Sequence, residues 1–98
     1  MPPYRYRITV DSLDDQQDAS ELPESLQFEF EHNENIFTIV ERLRTHENIS
    51  EDEAATFGVG LKLFGSVLRT HRNDPIGESL WPHFLEFMKT LKQGVRKS

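Results

Sequence analysis

A chain of 98 residues, 36% apolar but with seven Phe and one Trp, has material for one modest core, and the expectation is a single domain over residues 1–98. The absence of cysteine excludes disulfides and thiolate metal sites and favours a reducing compartment. The net charge of −6 is uneven: residues 1–34 hold two basic and nine acidic groups, residues 35–98 nine basic and eight acidic. A net acidic chain is a poor candidate for nucleic-acid binding, which rests on neutralising phosphate.

No apolar run approaches the roughly 20 residues of a membrane span. The opening MPPYRYRITV lacks the apolar segment of a signal peptide. These features predict a cytoplasmic protein that does not engage a membrane.

In chain order, the first element is a strand. Tyr4, Tyr6, Ile8 and Val10 alternate with Arg5, Arg7 and Thr9, as on a half-buried strand. Leu26, Phe28 and Phe30 alternate in the same way with Gln27, Glu29 and Glu31. Arg5 and Arg7 can then face Glu29 and Glu31 across an antiparallel hairpin. Its connection, residues 11–25, is long and acidic and is predicted to be a mobile loop.

Asn33 or Asn35 caps the next element, a helix with Ile36, Ile39, Val40 and Leu43 on one face and Phe37 beside it. A long central helix follows. Ser50 and Glu53 form a capping box, and Glu51, Asp52 and Glu53 suit the positive end of its dipole. Phe57, Leu61, Phe64 and Leu68 fall on one stripe, flanked by Leu63 and Val67. Helical Gly costs about 1 kcal/mol relative to Ala. Gly58, Gly60 and Gly65 therefore need a reason, and Ala54, Gly58 and Gly65 suggest a groove for a close neighbour. A rival pattern is a buried strand, since Phe57, Val59, Leu61 and Leu63 also alternate. The unbroken apolar run to Leu68 favours the helix.

Asn73-Asp74-Pro75-Ile76-Gly77 is a turn signal, with Asp74 placed to cap a short helical turn at Pro75. Pro82 starts or kinks the last helix, which carries Phe84, Phe87, Met88 and Leu91 on one face and Gly94 as a C-cap. Residues 95–98 read as a frayed basic tail. The fold class is α+β: an antiparallel β-hairpin followed by three helices, the second long and central.

The segments YRITV at 6–10, LQFEFE at 26–31, IFTIVERLR at 36–44, VGLKLFGSVL at 59–68 and PHFLEFMK at 82–89 resemble, in this order, a family of short bacterial proteins catalogued as a domain of unknown function. The resemblance covers nearly the whole chain. It implies a bacterial, intracellular, stand-alone domain and carries no activity, cofactor or catalytic residue.

Motifs of chemistry stop short. His46-Glu47-Asn48-Ile49-Ser50 begins like a zinc-protease motif but has Ser where the second histidine belongs. Gly60 and Gly65 have P-loop spacing, yet Ser66 stands in the lysine position. The acidic loop lacks the order of a calcium loop. His32, His46, His71 and His83 share no ligand spacing; His71 and His83 flank the Asp74 turn, where an acid/base or metal cluster with Asp74 is conceivable against the plainer reading as surface histidines. Lys89, Lys92, Arg96 and Lys97 read as a solvated helix end rather than a phosphate site. No catalytic, cofactor-binding or metal residue is assigned. The leading reading is a non-catalytic protein-interaction or regulatory module. It is expected to be a homodimer with interface candidates Tyr4, Tyr6, Ile8 and Trp81, and a further protein partner is possible. The alternative is a small enzyme or metal-dependent accessory protein using His71, Asp74 and His83.

Overall fold

The structure, a computed structural model, describes residues 3–14 and 25–94. Its elements are strands β1 (Tyr4–Asp11) and β2 (Ser25–His32), then helices α1 (Ile36–Leu43), α2 (Glu51–Thr70), α3 (Pro75–Glu78) and α4 (Trp81–Gly94). The α+β class and the long central helix are as the sequence predicts, and the turn at Pro75 adds a fourth, very short helix. The chain divides into two compact units, residues 1–33 and 34–98. The acidic connection from residue 15 to 24 and the basic tail, residues 95–98, lie outside the described residues.

In the first unit β1 and β2 pair antiparallel, with Tyr6 opposite Phe30, Ile8 opposite Phe28 and Val10 opposite Leu26. This register puts the apolar side chains on one face and the charges on the other. Arg5 meets Glu29 at 3.2 Å and Glu31 at 3.8 Å, and Arg7 meets Glu29 at 3.5 Å. Thr9 accepts a hydrogen bond from the Gln27 amide at 3.1 Å on the same face. All of these ion-paired side chains are largely exposed, so they select register more than they add stability.

In the second unit the core lies between α1 and α2. Asn35 caps α1 by accepting the Phe37 N–H, and Ile36, Ile39, Val40 and Leu43 are buried along one face. The predicted capping box opens α2, with Ser50 accepting the Glu53 N–H and Glu53 accepting the Ser50 N–H. Lys62 of α2 reaches Glu34, just before α1, at 3.0 Å.

The buried line of α2 differs from the predicted one. Ala54, Gly58 and Leu68 are buried, whereas Phe64 and Val67 are 54% and 59% exposed. The reason is steric. Small residues let the α1 backbone approach, and a Cβ at Gly58 would come within 3.0 Å of Leu43 Cδ1 and 3.2 Å of Val40 Cγ2. The glycine groove is thus real, but two neighbours use it: Gly58 receives α1, and Gly65 receives the Phe84 ring of α4, 3.0 Å from where its Cβ would be. Among the described residues nothing lies within 4 Å of that position at Gly60, so no packing among them requires it.

An aromatic row joins α2 to α4. Phe57 stacks on Phe87 at 6.3 Å, Phe64 meets Phe84 edge-on at 6.3 Å, and Trp81 stacks on Phe84 at 5.8 Å. Pro82 sits in the first turn of α4, where the missing N–H costs nothing. Gly94, predicted as a C-cap, is the last residue of α4 and has no positive φ. No helix among the described residues is long and apolar enough to cross a membrane.

Candidate functional site

The turn between α2 and α4 collects two of the three residues singled out for chemistry. Asp74 precedes Pro75 and caps α3, its carboxylate accepting the Ile76 N–H at 3.0 Å and the Gly77 N–H at 3.5 Å. Its other oxygen lies 2.5 Å from His71 Nδ1. A side chain at Gly77 would overlap the His71 carbonyl, so the glycine permits this tight return of the chain. The hydrogen bond with His71 holds the Asp74 carboxyl below its ordinary value of 3.8. Loss of hydration opposes that shift, while the Ile76 and Gly77 amides and the charge of His71 add to it.

His83 does not complete the cluster. It is exposed on α4, and its imidazole makes no hydrogen bond or ion pair among the described residues. No group of three or more His, Cys, Asp or Glu among the described residues could hold a metal ion. The pair His71–Asp74 is what remains, and its first effect is local: it fastens the turn that brings α4 back along α2.

The interface candidates occupy both units. Tyr4, Tyr6 and Ile8 take alternate positions on β1; Tyr4 is 44% exposed and the other two are half-buried. Val10, Leu26 and Phe28 on the same face are also exposed. Trp81, at the start of α4, is half-buried against Phe84.

A second place centres on His46, which in the sequence only opens an incomplete zinc-protease motif. Beyond α1 the chain turns, and His46 is buried, the one polar residue so placed among those described. Its Nδ1 accepts the Asn48 N–H at 2.9 Å. Its Nε2 is buried with no hydrogen-bond partner among the described residues. The ring lies against Gly94, where any side chain would overlap it, and the Gly94 carbonyl accepts the Glu47 N–H at 3.3 Å. Beside it opens a cleft of about 380 Å³ lined in part by Ile49, Phe57, Phe87, Thr90 and Leu91. The signal available in the sequence was spacing: His46 follows Leu43 by three, continuing the buried face of α1 past its end.

Comparison with known proteins agrees with the resemblance read from the segments. The model of the DUF3861 family, a domain of unknown function with a solved structure, matches residues 4–93. A crystal structure of a protein of unknown function from Pectobacterium atrosepticum is similar at 30% identity and a TM-score of 0.78. The likeness covers 93% of this chain and 98% of that one. No curated protein matches the chain.

Proposed function

The chain belongs to the DUF3861 family, and we propose that it is a non-catalytic, cytoplasmic protein-interaction or regulatory module that works as a homodimer. The observation carrying this reading is the hairpin. Among the described residues its two strands form a sheet of two members, and Tyr4, Val10, Leu26 and Phe28 are 39% to 57% exposed on its apolar face. A two-stranded hairpin is marginal in water, and each strand keeps an outer edge of backbone donors and acceptors. Pairing of β1 with its own symmetry mate gives a four-stranded sheet with a doubled apolar face. Such an interface is isologous about a two-fold axis. Arg5 and Arg7 approach their mates in that arrangement, and the pairs with Glu29 and Glu31 offset the repulsion.

Light scattering over a tenfold dilution at micromolar concentration is the test. Expected is a mass of twice 11.5 kDa, falling to monomer on Ile8→Pro, which removes a strand N–H, and unchanged on Trp81→Ala. A monomer at every concentration overturns the dimer; loss of the dimer on Trp81→Ala alone moves the interface to α4.

The 2.5 Å contact of His71 with Asp74 favours a second reading, a small enzyme or metal-dependent accessory protein. A carboxylate on Nδ1 orients an imidazole and leaves Nε2 for proton transfer. Affinity capture from the source cell separates the readings: a reproducible protein partner favours the module, a co-purifying metal or metabolite the enzyme.

A further inference from the structure

We infer that the cleft beside His46 is a binding site for a small, uncharged, planar aromatic molecule carrying a carbonyl acceptor. Three observations on the helical unit converge on this.

The first is an orphan donor. Because Nδ1 accepts the Asn48 N–H, the ring proton of the neutral imidazole resides on Nε2. That N–H is buried in a residue 8% exposed, with no acceptor among the described residues. Buried donors are nearly always paired in folded proteins, because an unpaired one forfeits its hydration for nothing. What such a group lacks is an acceptor, and a ligand carbonyl is one.

The second is the shape and lining of the cleft. At about 380 Å³ it lies within the range of small-molecule sites, and the apolar part of its lining is Phe57, Phe87, Ile49 and Leu91. The Phe57 and Phe87 rings stack on each other, centroids 6.3 Å apart and 27° from parallel, and together give the cleft an aromatic wall for a flat ring to lie against. Phe87 is 42% exposed although it is one of the largest apolar side chains of α4, so a ligand there covers surface the fold itself leaves in water.

The third is charge. Glu47 borders the same cleft, so a carboxylate ligand meets like charge while a neutral carbonyl does not. Access to Nε2 is governed by Gly94, the last residue of α4. A ligand carbonyl reaches Nε2 as Gly94 moves aside and its hydrogen bond from the Glu47 N–H opens, with no side chain at Gly94 to displace.

The test is a titration of the full chain with benzamide, benzoate and toluene, followed by the backbone amide resonances and the His46 ring nitrogens. Benzamide is expected to shift Asn48, Thr90, Leu91 and His46 Nε2 saturably, with benzoate weaker. His46→Phe keeps a flat ring but loses the donor, together with the Nδ1 that accepts the Asn48 N–H. It should weaken benzamide about tenfold, as loss of one buried hydrogen bond does, and leave toluene unchanged. Leu91→Trp, which fills the cleft without touching the donor, should abolish both. No saturable shift at these residues in the natural chain overturns the site. Undiminished benzamide binding by a folded His46→Phe overturns the role of the donor, and undiminished binding by Leu91→Trp overturns the location.

Discussion

Burial separates side chains that look equivalent on paper. Leu68 is 3% exposed between α2 and α1, whereas Phe64, four residues earlier on the same predicted stripe, is 54% exposed and meets Phe84 only edge-on. Leu68→Ala should therefore cost about 2–5 kcal/mol. Phe64→Ala should cost roughly 1 kcal/mol, the scale of a single aromatic pair. Urea melts of the two variants check the order, and a larger loss at Phe64 would contradict the placement of the core. Asp74 makes a prediction with a definite sign. Its folded pKa is depressed, so its contribution is fully present above the ordinary value of 3.8 and is lost as pH falls through the folded value. Asp74→Asn keeps a capping oxygen but removes the charge. The natural chain should outlast this variant in urea at pH 7 and at pH 5, and the difference should shrink at pH 3. A difference independent of pH would show that the His71–Asp74 contact stabilises nothing through charge.

At the scale of the element, glycine tells helices apart by what lies opposite. Gly60→Ala gains helix propensity in open space and should stabilise by about 0.8–1 kcal/mol. Gly58→Ala gains the same propensity but drives a methyl into buried Leu43 and Val40. Overpacking there costs about 1–3 kcal/mol, so the net effect is a loss. Gly65→Leu should also destabilise, because it must push Phe84 out of the aromatic row. Thermal melts of the three variants check this, and a raised melting temperature for Gly58→Ala or Gly65→Leu would show that the helices are not held at that distance. The start of α2 is simpler. Ser50→Ala removes the acceptor for the Glu53 N–H and should cost about 1 kcal/mol.

At the scale of the whole molecule, the homodimer proposal has a thermodynamic signature. Association stabilises the folded state by mass action, so the melting temperature of the natural chain should rise with protein concentration. Ile8→Pro should melt at one temperature across the same series. A natural chain whose melting temperature ignores concentration would count against the dimer independently of any scattering measurement.

What the sequence determined by itself was set locally. The capping box of Ser50 and Glu53, the cap at Asn35, the turn at Asp74-Pro75 and the two-residue alternation of both strands act within a few residues. The ladder of Arg5 and Arg7 on Glu29 and Glu31 was legible too, since alternation leaves few registers that match charge to charge. The tertiary structure decided which apolar residues count as core. A helical stripe says that one face is buried, but the small residues Ala54 and Gly58 admit α1 most closely, and this turns Phe64 outward to α4. It also decided that His71 meets Asp74 and not His83. And it decided that Gly94, the last residue of α4, receives the His46 ring. His46 and Gly94 stand 48 positions apart, and no spacing rule connects them. Only the return of α4 along α2 lays a residue without a side chain on an imidazole with nowhere else to go.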